Sequence, residues 1–264
     1  MRLESTRAVA LFDLNCGGRL ASLRVDGIEL LVDAVDDILE WGCYPMAPWA
    51  GRVRNARFEW QGQEIILPAR AAPHALHGTV LERSWHSIGG GWMCSELGEE
   101  WPWKGQVRSH VQLTNTELVW RMEVHAENEA FPVVMGWHPW FRRRLEIAGE
   151  LSLGFEAKEM YERDASGIAT DRLVGPSAGP WDDCFRQVVK PVRLVWSEAL
   201  EIELSSSCDY WVVYSHPAHA ICVEPQSGPP DGFNLGAFEV AAPGRPVCHS
   251  FRIQWRSKLS RNSA

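Results

Sequence analysis

Apolar residues at every second position constrain the fold of this chain more than any other feature of its sequence. The apolar residues that alternate with mostly polar ones are Leu118, Trp120, Met122 and Val124 in one segment, and Phe251, Ile253 and Trp255 in another. A period of two places such residues on one face of a β-strand. No amphipathic pattern in the chain is long enough for a helix of more than about three turns. The sequence therefore predicts an all-β fold.

Turn signals separate the predicted strands. Thr114-Asn115-Thr116 follows the strand predicted from Val107 to Leu113 and predicts a hairpin with the next strand. Short strands with frequent turns favour a large antiparallel sandwich or barrel. The stretch with Pro and Gly at 175–180 is too brief for a linker. We therefore expect one β domain over residues 1–258 and a disordered tail over residues 259–264.

Charge and composition disfavour several classes of partner. The formal net charge of −8 disfavours nucleic acid, and no apolar run approaches the roughly 18 residues of a membrane helix. The apolar stretch from Ala8 to Phe12 is too short for a signal peptide. The seven cysteines contain no Cys-x-x-Cys pair, which disfavours a disulfide framework and a thiolate zinc site. We expect a cytoplasmic protein, either a monomer or a homodimer.

A segment with one carboxylate is the first candidate for chemistry. The apolar run Ile221-Cys222-Val223 ends in Glu224, and a loop rich in Pro and Gly follows as far as Asn234. Such a boundary presents a side chain at the rim of a sheet. With a reference pKa of about 4.3, a Glu is ionised at pH 7 and can accept a proton. Glu224 is therefore a candidate general base, and the alternative is a salt-bridged surface Glu.

Two histidines stand beside Gly or Pro after apolar stretches. His77 lies in Pro73-His74-Ala75-Leu76-His77-Gly78, and His138 lies in Gly136-Trp137-His138-Pro139-Trp140-Phe141. About a quarter of ordinary imidazoles are protonated at pH 7, and a nearby carboxylate raises that share. We interpret the two histidines as a general acid and a substrate-orienting donor. The alternative is a core histidine with satisfied hydrogen bonds.

Three further patterns bear on chemistry. His74-x-x-His77 and His216-x-x-His219 have metal-ligand spacing, and Glu224 could complete a set, but neither pair forms the His-Glu-x-x-His motif, so we predict no metal site. Arg142-Arg143-Arg144 forms either an anion site or a solvated face. The chain has no Gly-x-Gly-x-x-Gly, Walker or Gly-x-Ser-x-Gly motif, which predicts a protein without a nucleotide cofactor.

Together these segments resemble the aldose 1-epimerase (galactose mutarotase-like) family. The resemblance runs from about Tyr44 to Asn234, and its motifs occur in the family's order. The motifs are Pro48-Trp49-Ala50-Gly51-Arg52-Val53, the hairpin from Phe58 to Leu67, His77-Gly78, the segment around His138, Asp182-Asp183-Cys184-Phe185, and Glu224-Pro225 with Asn234. Each motif is weak alone, but their order makes the set fairly specific.

The sequence departs from the family's pattern at named positions. Gly51 replaces the usual Asn before Arg52, and Arg142 stands where many members have Asn. Either Asp182 or Asp183 fills the acidic position, and the spacing to the following Phe favours Asp182. These departures leave the preferred sugar open.

The resemblance implies an antiparallel β supersandwich that isomerises a small sugar without a cofactor. The implied reaction interconverts the α and β anomers of a hexose by ring opening and closure. By this resemblance, Glu224 is the base, His138 is the acid, and His77 is a donor to the ring oxygen or to neighbouring hydroxyls. The residues implied to bind the sugar are Arg52, Asp182, Trp49 and Trp140.

Other functions are compatible with the sequence. A glycoside hydrolase or lyase on a similar fold needs a second carboxylate about 5–10 Å from Glu224, for which Asp182 is the candidate. A non-catalytic sugar-binding protein would use the aromatic and arginine contacts without the acid and base. For an epimerase, a neutral hexose is the default substrate. A phosphorylated or sulfonated hexose is the alternative, and Arg142 to Arg144 would then supply the positive charge.

Overall fold

The computed structural model describes residues 1–146, 148–197 and 199–257, so the predicted tail at 259–264 lies outside the described residues. A short 3₁₀ helix spans Arg54–Ala56. The strands in chain order are β1 (Arg2–Glu4), β2 (Ala8–Asp13), β3 (Arg19–Val25), β4 (Ile28–Glu29), β5 (Cys43–Met46), β6 (Arg52–Val53), β7 (Arg57–Trp60), β8 (Gln63–Ile66), β9 (Ala75–Leu76), β10 (His86–Gly89), β11 (Trp92–Glu96), β12 (Gly105–Leu113), β13 (Glu117–Ala126), β14 (Phe131–Val133), β15 (Gly136–Arg142), β16 (Leu151–Gly154), β17 (Ala157–Arg163), β18 (Ala169–Val174), β19 (Asp182–Val188), β20 (Val192–Trp196), β21 (Leu200–Ser206), β22 (Tyr210–Tyr214), β23 (Ala220–Gln226), β24 (Glu239–Ala241) and β25 (Val247–Ser257). Within the described ranges, no helix is both long enough and apolar enough to cross a membrane.

Two large antiparallel sheets dominate the fold. The first has 11 strands in the order β1-β2-β3-β5-β15-β23-β22-β19-β17-β18, with β4 paired to β3. The second has eight strands in the order β10-β11-β12-β13-β25-β21-β20-β16. Three two-stranded pairs, β14-β24, β6-β9 and β7-β8, complete the arrangement. The predicted all-β antiparallel supersandwich is confirmed.

The period-two residues form the core between the two large sheets. In β13, Leu118 and Trp120 are fully buried while Arg121 faces solvent. Trp120 meets Trp137 of β15 with ring centroids 6.4 Å apart, and Trp137 in turn packs on Phe251 of β25 at 5.8 Å. Since aromatic side chains bury large apolar areas, these contacts across the sandwich contribute strongly to its stability.

The two hairpins expected from the sequence, one from a turn signal and one from the family resemblance, both form. β12 pairs with β13 from Leu113 opposite Leu118, with the turn at residues 114–116 between them. β7 pairs with β8 around Gln61 and Gly62, whose positive φ angles of 51° and 78° suit a tight hairpin turn. Local turn chemistry thus sets strand boundaries in these segments.

The predicted acid and base lie inside strands rather than at strand ends. His138 is the third residue of β15, and β23 continues past Glu224 to Gln226. The reason is that β15 and β23 are neighbours in the middle of the 11-stranded sheet, where both strands pair on both sides. Nearly every residue of these two strands is buried, because one face meets the core and the other lines a cavity.

Candidate active site

Strand register places the predicted acid and base side by side. β15 and β23 are antiparallel, and Gly136 lies opposite Gln226. Two residues along each strand, His138 therefore lies opposite Glu224. Alternate residues of a strand share a face, so both side chains project from the same side of the sheet.

A cavity of about 310 Å³ covers this face of the sheet. Strands β5, β15, β23, β22, β19 and β17 supply its floor, and segments around Arg52, His77 and Pro230 supply part of its wall. The predicted site residues that line it are Arg52, His77, His138, Trp140, Asp182 and Glu224. Residues far apart in the sequence thus meet at one concave site.

His138 and Glu224 form a buried pair. The Nε2 atom of His138 lies 3.1 Å from Oε1 of Glu224, and the two residues are 6% and 2% exposed. Burial raises the pKa of Glu224 well above its usual value, and the Asp182 carboxylate raises it further. Burial lowers the pKa of His138 to about 3. The free pair therefore favours a neutral carboxyl beside a neutral imidazole.

These pKa directions correct the expectation drawn from reference values. The sequence indicated an ionised Glu224 and a partly protonated His138, as in solvated side chains. Burial disfavours the charged form of both groups, so it raises the pKa of the acid and lowers the pKa of the base. At 3.1 Å the two groups are close enough for a proton to pass between them.

Aromatic rings hold the imidazole of His138 in place. Tyr44 stacks on it with centroids 4.7 Å apart, and Trp140 stacks on it at 5.5 Å. His219 also stacks on Trp140, at 6.2 Å. Trp140 is only 4% exposed, so its ring faces are occupied by protein. Trp140 thus lines the cavity beside His138, and its contact with a sugar remains a prediction.

His77 offers a donor to the same cavity. Its Nδ1 accepts a hydrogen bond of 3.2 Å from the backbone N–H of Gly51, which leaves Nε2 to carry the proton. Burial lowers the pKa of His77 well below its usual value, and the neighbouring His138 and Arg52 lower it further. His77 is thus a neutral hydrogen-bond donor rather than a charged one.

The backbone at His77 is held in an uncommon conformation. His77 has a φ of 57° and Gly78 a φ of 75°, in the left-handed region where residues other than Gly are infrequent. A Cβ on Gly78 would lie 2.0 Å from the carbonyl oxygen of Ala47. Only Gly fits there, and this explains the His77-Gly78 pairing in the sequence.

Charged residues at the rim of the cavity neutralise one another. Arg52 Nη1 lies 3.8 Å from Asp182 Oδ2, and Arg163 lies 3.5 Å from Asp182 and 2.8 Å from Asp183. The sequence left open whether Asp182 or Asp183 belongs to the site. Both aspartates line the cavity. Burial raises the pKa of Asp182, and Arg52 opposes that shift.

Two residues quoted from the sequence lie outside the cavity. Trp49 is 2% exposed and packs on Trp101 with centroids 5.8 Å apart, so it belongs to the core and has no free face for a sugar. Asn234 donates its side-chain N–H groups to the carbonyl of Arg57 and to Asp231. It therefore braces the loop after β23.

The arginine run makes structural contacts away from the cavity. Arg142 pairs with Asp33, and Arg143 donates to the backbone carbonyls of Ser215, Pro217 and Ala220. Arg144 lies 3.5 Å from Glu150 and is exposed. None of the three arginines lines the cavity within the part of the chain that the structure describes.

Comparison of the sequence with models of known families supports this interpretation of the site. The model of the aldose 1-epimerase family matches residues 2–254. The chain belongs to the aldose 1-epimerase family. The resemblance drawn from the sequence motifs is thereby confirmed, over a longer part of the chain than the motifs covered.

Relatives of this aldose 1-epimerase family member are distant in sequence and similar in fold. The uncharacterized protein YphB of Escherichia coli K12 is 24% identical over 255 residues, covering 81% of this chain and 84% of that protein. A galactose mutarotase-like protein from Clostridium acetobutylicum has a TM-score of 0.84 at 14% identity, with 97% and 94% of the two chains covered. Galactose 1-epimerase from Lactobacillus acidophilus has a TM-score of 0.78 at 15% identity, with 98% and 94% covered.

Sequence reasoning missed several residues of the site. Tyr44, Arg163 and Gln226 line the cavity but carry no motif in the sequence. Gln226 had one available signal, because it lies two residues after Glu224 and so shares its face in a strand. The contributions of Tyr44 and Arg163 depend on strand pairing, which the sequence alone does not show.

One group in the site could also offer ligands to a metal ion. His138, Cys222 and Glu224 are all buried, and one ligand atom from each lies within 4.8 Å of the others. Thiolate, imidazole and carboxylate are ligands of the kind that Zn²⁺ accepts. This group contains none of the histidines of the His74-x-x-His77 and His216-x-x-His219 pairs noted in the sequence. The ring Nδ1 of His74 instead accepts a hydrogen bond from the backbone N–H of Asn55.

Proposed function

We propose that this protein is an aldose 1-epimerase that interconverts the α and β anomers of an uncharged hexose. The observation that carries the proposal is the buried pair of His138 and Glu224, whose facing atoms lie 3.1 Å apart at the floor of a cavity. Anomerisation requires one group that removes a proton and one that supplies a proton at adjacent oxygens. Such transfers each contribute about 10²–10⁴-fold to rate.

In the ring-opening step, Glu224 takes the proton of the anomeric hydroxyl and His138 gives a proton to the ring oxygen. The bond between C1 and the ring oxygen breaks, and C1 becomes an aldehyde. Rotation about the C1–C2 bond turns the other face of the carbonyl toward the ring oxygen. The same two groups then act in reverse, so each returns to its starting protonation state.

The pKa shifts of the pair determine which of its protonation states reacts with the sugar. Burial raises the pKa of Glu224 and lowers that of His138 to about 3. The reacting form of the pair, a carboxylate on Glu224 beside an imidazolium on His138, is therefore less populated than the neutral form, but it is a strong base beside a strong acid. Ring opening leaves the neutral carboxyl and neutral imidazole that the buried site prefers.

Neighbouring groups hold the sugar in this proposal. His77 donates from Nε2 to the ring oxygen or a nearby hydroxyl, because its Nδ1 is engaged by Gly51. Arg52 and Asp182 hold peripheral hydroxyls at the rim. The three groups thereby orient the anomeric centre over the pair, and orientation of reactants is itself a large source of rate.

The charges around the cavity support an uncharged sugar. The titratable residues that line it include five carboxylic acids, Asp37, Glu40, Asp182, Asp183 and Glu224, and two arginines, Arg52 and Arg163. Both arginines already pair with aspartates. A phosphate or sulfonate would meet excess negative charge, so the anionic-hexose alternative is disfavoured.

Optical rotation tests the proposal. Freshly dissolved α-D-glucose and α-D-galactose are followed with and without the protein, and the rate in excess of buffer is measured. We expect acceleration by the wild type, and loss of about 10²-fold or more in Glu224→Gln. Glu64→Gln is the matched control, because Glu64 is exposed on β8.

Three results would contradict the proposal. Near-normal rates in Glu224→Gln would remove Glu224 as the base. Release of reducing sugar from a glycoside panel would favour a hydrolase. Saturable binding of hexoses without any anomerisation would favour a sugar-binding protein.

A further inference from the structure

Gln226 is in close contact with the proposed base. It is 0% exposed and lies two residues after Glu224 on β23. Its Nε2 donates a hydrogen bond of 3.1 Å to Oε2 of Glu224. Since His138 faces the other carboxylate oxygen, Oε1, the two neighbours divide the two oxygens of Glu224 between them.

The sheet makes room for Gln226 at a specific position. Gly136 lies opposite Gln226 in the adjacent strand. A Cβ at residue 136 would lie 3.0 Å from Cγ of Gln226 and 2.7 Å from the carbonyl oxygen of Pro225. The glycine two residues before His138 thus allows the Gln226 side chain to lie flat beside the base.

The side-chain carbonyl of Gln226 is left unpaired. Its Oε1 is buried and has no hydrogen-bond partner among the described residues. An unpaired buried acceptor is unfavourable for folding, and an apolar side chain of similar shape would avoid it. Its N–H groups, by contrast, have a partner, and within the described residues that partner is the carboxyl of Glu224.

We infer that Gln226 is a positioning residue for the reaction: it fixes Oε2 of Glu224 so that Oε1 is presented to His138 and to the anomeric hydroxyl. The inference rests on the proposed function. Donation from an amide favours the ionised carboxylate, which is the form that accepts the sugar proton. Gln226 acts through Glu224 and has no direct role in bond breaking.

The test compares two replacements of this residue. Gln226→Met keeps the approximate shape and removes the donor. We expect kcat to fall by about 10- to 100-fold, the effect of one hydrogen bond to a charged group, with KM little changed. The basic limb of the pH profile should move to higher pH, because the carboxylate of Glu224 loses a stabilising donor. Gln112→Met, at an exposed position of β12, is the matched control.

Gln226→Glu supplies a second and independent readout. A carboxyl at residue 226 donates only while it is protonated, so we expect partial rescue of kcat at low pH that disappears as the pH rises. A residue with only a packing role would show neither this rescue nor a moved basic limb. Wild-type kcat with an unmoved basic limb in Gln226→Met would overturn the inference.

Infrared difference spectra separate this inference from the proposed function. The carbonyl band of the protonated Glu224 is identified by its absence in Glu224→Gln. We expect its titration to move to higher pH in Gln226→Met, whether or not any sugar is turned over. An unmoved titration overturns the role of Gln226, whereas a moved titration in a protein that anomerises no sugar overturns only the proposed function.

Discussion

The Nε2 atom of His138 and the Oε1 atom of Glu224 lie 3.1 Å apart across two neighbouring strands, β15 and β23. Both side chains are buried, and both are held by further contacts: Tyr44 and Trp140 stack on the imidazole, and Gln226 binds the carboxyl. The geometry of the pair is thus fixed by the fold, and pre-organised groups avoid reorganisation during a reaction.

The protonation of this pair is open to direct measurement. Because burial lowers the pKa of His138 to about 3, we expect its imidazole to be neutral at pH 5, where ordinary histidines with pKa near 6.5 are charged. Nitrogen-15 NMR spectra of wild type and His138→Asn would identify the signal. A charged imidazole at that pH would contradict the expected order of the two pKa values.

The order of the two pKa values, with His138 below Glu224, also predicts the pH profile of catalysis. The working pair holds one proton, so kcat/KM should fall at low pH when His138 takes a second proton, and at high pH when the last proton leaves Glu224. The acidic limb then belongs to His138 and the basic limb to Glu224, the reverse of the assignment from reference values. The profile of the wild type over a broad pH range measures both limbs.

Replacement of Glu224 should stabilise the protein at neutral pH. Burial raises the folded-state pKa of Glu224, so the folded protein keeps a proton that the unfolded chain releases above about pH 4.3. Between the unfolded-state and the folded-state pKa, the free energy of unfolding falls by about 1.4 kcal/mol for each unit by which the pH rises. Glu224→Gln has no such proton, and we expect a higher Tm than wild type at pH 8.

The control for this stability effect is the same comparison of Tm between wild type and Glu224→Gln at acidic pH. As the pH falls through about 4.3 and below, the unfolded chain also takes up the proton, and the linkage to Glu224 disappears. The difference in Tm between wild type and Glu224→Gln should therefore shrink as the pH is lowered. A difference that is independent of pH would assign the effect to packing instead.

Two tryptophans should respond differently to truncation. Trp49→Ala removes a core ring that packs on Trp101, and we expect a loss of about 3–5 kcal/mol of unfolding free energy. Trp140→Ala releases one face of His138, so we expect kcat to fall for the protein that remains folded. Chemical denaturation and polarimetry on both variants test the distinction, and equal effects on kcat per folded molecule would contradict it.

Arginines at and away from the cavity also give a matched comparison. Arg52 lines the cavity, whereas Arg144 is exposed and lies near Glu150. We expect Arg52→Gln to raise KM by about 10-fold, since it removes hydrogen bonds from a charged donor, and Arg144→Gln to leave kcat/KM unchanged. A loss of activity in Arg144→Gln would restore a role for the arginine run in substrate binding.

The sequence predicts the fold well where one strand face meets solvent. β13 shows the alternation of buried Trp120 and exposed Arg121, and such strands indicate their own structure. β15 and β23 lack that signal, because the face opposite the core lines the cavity and is buried as well. The burial of Glu224, and hence its raised pKa, follows from strand pairing that no local pattern encodes.

The sequence predicts which residues form the candidate site better than it predicts their protonation. His77, His138 and Glu224 stand in motifs of the family, and the cavity contains all three. Trp49 and Trp140 both stand beside Pro in the sequence, and nothing local distinguishes a core ring from one at the site. Ionisation likewise depends on the surroundings that the fold creates, so reference pKa values misassign the free pair.

Each central strand of the larger sheet carries core residues on one face and site residues on the other. In β23, Val223 and Glu224 are therefore adjacent in the chain but belong to opposite sides of the sheet. Deletion or insertion of a single residue before Glu224 within this strand would turn the carboxyl into the core and an apolar side chain into the cavity. Loops tolerate changes of length far better than strands do, so the segments around Arg52, His77 and Pro230 can alter the shape of the cavity wall while the pair stays in place.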